Sequence, residues 1–185
     1  MNALVPTSAL VLIPSEKVWA PIQAIRRVHD RHVRRWMPHV TLLYPFHPLP
    51  LDAARAARLR EACARVEPFA VTLRAFGVFR HRPGSHTLWL DPEPRDAMAA
   101  LHAALVDAFP ECAQGARRGE AFVPHLSLGQ VRGADACDAW LAELRARWRP
   151  LRFSAHALSL IGRGAPPDDV FGVVARIRLG RPPDA

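Results

Sequence analysis

The stretches Pro38-His39-Val40-Thr41-Leu42 and Pro124-His125-Leu126-Ser127-Leu128 share one pattern: proline, histidine, an apolar residue, a hydroxyl residue and leucine. Each reads as the opening of a buried strand. Alternate residues of a strand share a face. His39 and Thr41 therefore point one way and Val40 and Leu42 the other, and His125 and Ser127 repeat this against Leu126 and Leu128. Proline suits the position before each histidine, because without an N–H it belongs at a strand start and not in its middle. It also biases Met37 and Val123 toward extended backbone. A chain that carries the pattern twice can bring two imidazoles and two hydroxyls to one cleft, a set suited to acid–base chemistry on a phosphate ester.

Outward from the first motif, residues 8–13 are an apolar strand candidate closed by Pro14, with Ser15 placed to cap a helix. Trp19, Ile22, Ile25 and Val28 recur at helical spacing. The basic run Arg26, Arg27, Arg31, Arg34 and Arg35 precedes His39, either as solvated arginines at a helix end or as a phosphate-attracting rim. Prolines 45, 48 and 50 mark a loop, and 53–66 has strong helix propensity. Residues 69–73 and 76–79 read as strand, 82–85 as a turn, and 86–90 as the returning arm of a hairpin. A third helix runs from about 93 to 109. A polar loop over 111–121 carries Arg117 and Arg118. Strand 125–131, helix 135–148 and strands 151–161 and 170–179 complete the chain.

The repeat extends past the motifs. Each histidine strand is followed by a helix and then by a strand opening with phenylalanine, Phe69 or Phe153. The histidines are 86 residues apart and the phenylalanines 84. A unit of about 85 residues is too long for a solenoid. It predicts one domain over 1–185 made of two lobes around an approximate twofold axis, with the histidines facing each other across a shared cleft.

Composition bounds the rest. Half of the 185 residues are hydrophobic, enough for a real core, and the net charge is +8. That charge favours an anionic partner. Nearly all of it is arginine, with Lys17 the single lysine, a bias that a GC-rich genome would also produce. Cys63, Cys112 and Cys137 are widely spaced and form no metal-ligand pattern, so reduced thiols and a cytoplasmic location are expected. No cleavable leader and no apolar run of membrane length is evident. There is no nucleophile elbow and no phosphate-binding glycine loop. His29 and His32 lie at i, i+3 but lack a third ligand, so no metal is expected. Tyr44, Phe76 and Phe79 offer ring faces for a base, with core packing as their default use.

The paired H-x-T and H-x-S motifs on a duplicated α+β unit resemble the two-histidine (2H) phosphoesterase superfamily, and within it the 2'-5' RNA ligase or LigT-like cyclic phosphodiesterase branch. The likeness rests on residues 38–46, 86–90 and 122–130 and spans about 8–179. It implies two lobes of antiparallel sheet with outer helices, and His39 and His125 as a catalytic pair. It further implies Thr41 and Ser127 as phosphate-binding partners and no cofactor, while the duplicated unit itself predicts a monomer. The implied reaction is metal-independent hydrolysis of a 2',3'-cyclic phosphate or a 2'-5' linkage in RNA or a nucleotide. Ligation on the same site and non-catalytic binding of RNA ends are the alternatives. Many relatives of this kind carry a basic residue where this chain has Gln130. Strict alternation puts Gln130 on the face opposite His125, so a positive clamp is expected either from Arg117 or Arg118 or not at all.

Overall fold

In a computed structural model that describes residues 3–115 and 122–181, the chain runs through β1 (Ser8–Leu12), α1 (Trp19–His29), β2 (Val40–Leu43), α2 (Ala53–Ala64), β3 (Phe69–His81) and β4 (Ser85–Glu93). It continues through α3 (Arg95–Ala108), β5 (Leu126–Arg132), α4 (Ala134–Arg147), β6 (Leu151–Ala155), β7 (Ala157–Gly162) and β8 (Gly172–Arg178). The strands form two antiparallel four-stranded sheets, ordered β2-β1-β7-β8 and β5-β4-β3-β6. The fold is α+β. Each histidine motif enters an edge strand, β2 or β5, and each of these pairs with the strand that precedes it in its half, β1 or β4.

The apolar residues between the motif side chains drive this arrangement. Val40 and Leu42 are buried, as are Leu126 and Leu128, and all four join one core with Leu59, Met98, Leu101, Trp140 and Leu144 from the helices. β1 is buried along its whole length because both its faces are covered. Leu10 and Leu12 face the main core, while Ala9 and Val11 meet Ile161, Phe171, Trp36 and Met37 in a smaller cluster. A strand covered on both sides reads as an unbroken apolar run.

A side-chain cap sets the start of one helix. Asp52 caps α2 by accepting from the Arg55 N–H at 2.8 Å. Ser15 makes no cap; a 3₁₀ turn over Glu16–Val18 intervenes and α1 begins at Trp19. Pro21 falls in the first turn of α1, where a missing N–H costs nothing.

Three expectations need correction. The strand expected over 151–161 is two strands, broken at His156, with β6 in the second sheet and β7 in the first. The two strands expected over 69–79 are one, with a register shift between Leu73 and Ala75. The strands opened by Phe69 and near Phe153 pair with each other, Val71 opposite Phe153, so both lie in the second sheet. The chain crosses between sheets after α2 and stays in one sheet after α4.

The end of α1 rests on β5, and Gly129 makes that possible. A Cβ there would fall 2.5 Å from the His29 Cβ and 2.6 Å from its carbonyl carbon. We expect Gly129→Ala to destabilise the protein by roughly 1–3 kcal/mol through overpacking, measured by urea unfolding. Gly84, at φ +61 with open space around it, should cost only the left-handed backbone penalty of about 1–2 kcal/mol when replaced by alanine, without loosening the α1–β5 contact.

Candidate functional site

Each histidine stands one residue ahead of its strand and is fixed by the same bond. His39 Nδ1 lies 2.6 Å from the Met37 carbonyl oxygen, and His125 Nδ1 lies 2.9 Å from that of Val123. A carbonyl only accepts, so each Nδ1 donates. In the neutral ring this leaves Nε2 as the bare, basic nitrogen. The buried Pro38 and Pro124 hold the preceding residues extended, which turns both carbonyls back onto the rings. The two motifs thus produce two imidazoles with one tautomer.

The strands that follow them run close to each other, although His39 and Thr41 do not line the groove beside His125 and Ser127. Cα atoms of β2 and β5 come within 8 Å of each other, and a charge on His125 disfavours a charge on His39. Thr41 and Ser127 are half-buried and pair across to Val11 and Trp89. Each imidazole rests against rings. His39 stacks on Trp36 at 4.7 Å between centroids, and Trp36 is backed by Phe171 at 3.9 Å. His125 meets Phe79 edge-on at 4.8 Å and Trp89 at 6.0 Å.

Burial lowers the pKa of both histidines. His39 is brought down to about 4, chiefly by desolvation; the Met37 carbonyl opposes this, Arg26 and His125 add to it, and Asp30 opposes it. His125 is also lowered by desolvation, against the pull of the Val123 carbonyl. Both rings are therefore neutral near pH 7 when no anion is present.

A groove of about 530 Å³ extends from His125 and Ser127 past Phe79 and Thr87 to Arg31, Arg82 and Arg132. Gln130 also lines it, which corrects the expectation from strict alternation. The β4–β5 register slips so that Gly129 pairs with Leu88 and Ser127 with Trp89, leaving Leu128 bulged out of register. One extra residue flips the phase of the strand and returns Gln130 to the face of Ser127. A separate apolar cavity of about 590 Å³ lies between α2 and β8, lined by neither histidine.

Other expected site residues fall as follows. Tyr44 is exposed, donates to the Pro6 carbonyl at 3.3 Å and meets the edge of Trp36. Phe76 packs against Trp148, whereas Phe79 reaches the groove. Arg34 and Arg35 are not free rim charges: both donate at 2.5 Å to the buried carboxylate of Asp169. Arg117 and Arg118 lie outside the described residues. His29 stacks on Trp140, and His32 lies 3.0 Å from Arg31 Nε. No cluster of three metal-ligating side chains occurs among the described residues.

One feature escaped the sequence reading. Arg26 and Asp30 form a buried ion pair, Nε to Oδ2 at 2.9 Å. Arg26 also donates to the Trp36 carbonyl at 2.8 Å and to Gln23 Oε1 at 3.1 Å. Asp30 Oδ1 accepts from the His32 N–H at 2.9 Å and from Gln130 Nε2 at 3.4 Å, while Gln130 Oε1 accepts from the Arg31 N–H at 3.2 Å. The i, i+4 spacing of Arg26 and Asp30 was the available signal, but surface pairs look the same in sequence.

The 2'-5' RNA ligase superfamily model matches residues 14–167. The chain belongs to this family. It is 28% identical over 137 residues to a protein of Geobacillus kaustophilus named "Putative phosphoesterase", covering 71% of this chain and 73% of that one. A Bacillus pumilus protein of the same name is 28% identical over 143 residues, covering 75% and 78%. Among solved structures, TT0787 of Thermus thermophilus aligns with a TM-score of 0.60 at 22% identity, over 94% of this chain and 97% of its own. E. coli LigT in complex with 3'-AMP aligns with a TM-score of 0.59 at 15% identity, over 97% and 100%; LigT has also been solved with ATP and with NADP+. These two likenesses concern the fold. The family and the relatives named phosphoesterase point to a 2H phosphoesterase.

Two measurements check this site. In ¹⁵N-detected NMR, both rings should show the Nδ1–H tautomer at pH 7, with His39 staying neutral down to about pH 4. An unfolded histidine takes its proton near pH 6.5, so between 6.5 and 4 the unfolded state binds more protons. The stability contributed by His39 is therefore full above pH 6.5 and falls as the pH drops toward 4. Separately, Arg26→Met should cost about 3–5 kcal/mol in urea unfolding by stranding the Asp30 charge, and adding Asp30→Asn should recover part of the loss.

Proposed function

We propose that the protein is a metal-independent phosphodiesterase that opens 2',3'-cyclic phosphates or cleaves 2'-5' linkages at nucleotide or RNA ends, with His39 and His125 as its acid–base pair. The observation that carries this reading is the matched pair of Nδ1-to-carbonyl bonds, which leaves a bare Nε2 on each of two neighbouring imidazoles. The nucleotide complexes of LigT support a nucleotide as the substrate.

His39, the ring held more strongly neutral, serves as base in hydrolysis. Its Nε2 takes a proton from water as the water oxygen bonds to phosphorus. His125 gives its proton to the departing ribose oxygen as that P–O bond breaks. His125 gains this proton when the anionic phosphate arrives, because a nearby negative charge favours the imidazolium. Thr41 and Ser127 donate to the non-bridging oxygens as charge grows there. The products are a phosphate monoester and a free hydroxyl. The family's name favours a second reading on the same atoms: a 5'-hydroxyl replaces water and the step forms a phosphodiester.

The decisive experiment offers a panel of 2',3'-cyclic and 2'-5'-linked substrates and identifies the product ends. Activity should survive EDTA, and kcat/KM should be bell-shaped in pH, its acidic limb reporting the base. His39→Ala and His125→Ala should each lower kcat/KM about 10²–10⁴-fold, and the double variant should lose less than the product of the two. Thr41→Ala and Ser127→Ala should cost about 10-fold or more. Near-full turnover by either histidine variant would refute the mechanism.

A further inference from the structure

The positive end of the groove has no role in the chemistry just described. Arg82 projects from the β3–β4 turn, Arg132 ends β5, and Arg31 follows α1; all three are exposed and line the same groove as His125 and Ser127. None meets a carboxylate within 4.0 Å among the described residues, unlike Arg26, Arg34, Arg35 and Arg95. The three cations are gathered on a firm frame. Arg132 pairs across the ladder with Ser85, and the Gly133 N–H donates to the Gly84 carbonyl at 2.9 Å, closing the turn against the end of β5. The Gln130 side chain holds the Arg31 backbone at 3.2 Å.

Spacing separates this cluster from the histidines. Ser127 and Arg132 are five residues apart on β5, roughly 16 Å at about 3.3 Å per residue, less the bulge. Long arginine side chains close part of that gap. A single phosphate held at His125 and Ser127 still cannot also satisfy the far end. Three guanidiniums without carboxylate partners, in a groove that begins at a phosphate-handling site, match a second phosphate.

We infer that Arg31, Arg82 and Arg132 form a subsite for a second phosphate, attached on the 5' side of the nucleotide whose cyclic phosphate reacts. This rests on the proposed function for the position of the first phosphate. It assigns the substrate class as a nucleotide bearing at least two phosphate groups at opposite ends of its ribose, and not a bare nucleoside cyclic phosphate. The second phosphate can be a terminal 5'-phosphate or the linkage of an oligonucleotide.

The test compares three probes on the full chain: adenosine 2',3'-cyclic phosphate, its 5'-phosphorylated form, and the dinucleotide ApA ending in a 2',3'-cyclic phosphate. At least one doubly charged probe should show kcat/KM about 10-fold or more above the first, as expected for a charge-assisted contact. A gain with the 5'-phosphate alone identifies a small phosphorylated nucleotide; a gain only with ApA identifies a chain. In the Arg82→Ala/Arg132→Ala variant, the ratio of doubly to singly charged probe should fall toward one. A parallel arm measures binding of 3'-AMP and of ApA 3'-phosphate to the His125→Ala protein, which needs no turnover. Its log–log salt slope should be steeper for the dinucleotide by about 0.7, and that increment should vanish in the arginine variant. Equal kcat/KM for all probes, or equal affinity and slope in the binding arm, overturns the subsite. No turnover of any probe together with the expected binding preference would overturn the catalytic reading and leave the subsite standing.

Discussion

The buried pair of Arg26 and Asp30 ties the two halves of the molecule together. Removing two charges from water costs several kcal/mol per ion before any attraction is counted. The pair is tolerable because its remaining hydrogen-bonding groups are used. Arg26 holds the Trp36 carbonyl, and the Trp36 ring is the face on which His39 stacks. Asp30 accepts from Gln130, which sits on β5 three residues beyond Ser127. One ion pair thus reaches toward both motifs. A hydrophobic pair of similar volume could fill the space, but it could not hold a carbonyl on one side and an amide on the other. Asp169 does related work from the β7–β8 connection: it gathers Arg34 and Arg35, and the Phe171 N–H donates to the Arg35 carbonyl at 2.9 Å, which seats Phe171 on Trp36.

Edge strands make the arrangement possible. A histidine at the start of a central strand would be crowded from both sides. At the start of an edge strand one side of the ring stays open: His125 rests on Phe79 and Trp89 of its own sheet, and His39 on Trp36 from the loop after α1. The end of α1 packs onto the face of β5 through the contact that Gly129 permits.

The motif strands were legible because their physics is local. Alternation, proline at a strand start and an apolar flank all act within five residues, and the expected inward residues Val40, Leu42, Leu126 and Leu128 are the buried ones. The cap at Asp52 and the hairpin turn at 82–85 are local in the same sense. What was not legible depended on distant residues. Gly129 inside the strand hints at a bulge, but its place at Leu128 follows only from pairing with β4, and it moved Gln130 to the other face. His156 does not look like a break, yet the chain changes sheets there. The run Arg26, Arg31, Arg34 and Arg35 looked uniform, but the structure divides it three ways: a buried structural charge, an exposed groove cation, and two charges neutralised by Asp169, some 135 residues later.

That division bears on how the site handles charge. Guanidinium groups close to both imidazoles would hold them unprotonated even after an anion arrived, and an acid catalyst needs its proton. Here Asp30 offsets Arg26 where it lies near His39, and Asp169 does the same for Arg34 and Arg35. The cations without such partners sit at the far end of the groove, where they can attract an anion with less effect on the protonation of His125. In the proposed mechanism the arriving phosphate then becomes the strongest local influence on that ring. In that mechanism both rings stay neutral while the site is empty, and the acid gains its proton only with the substrate in place.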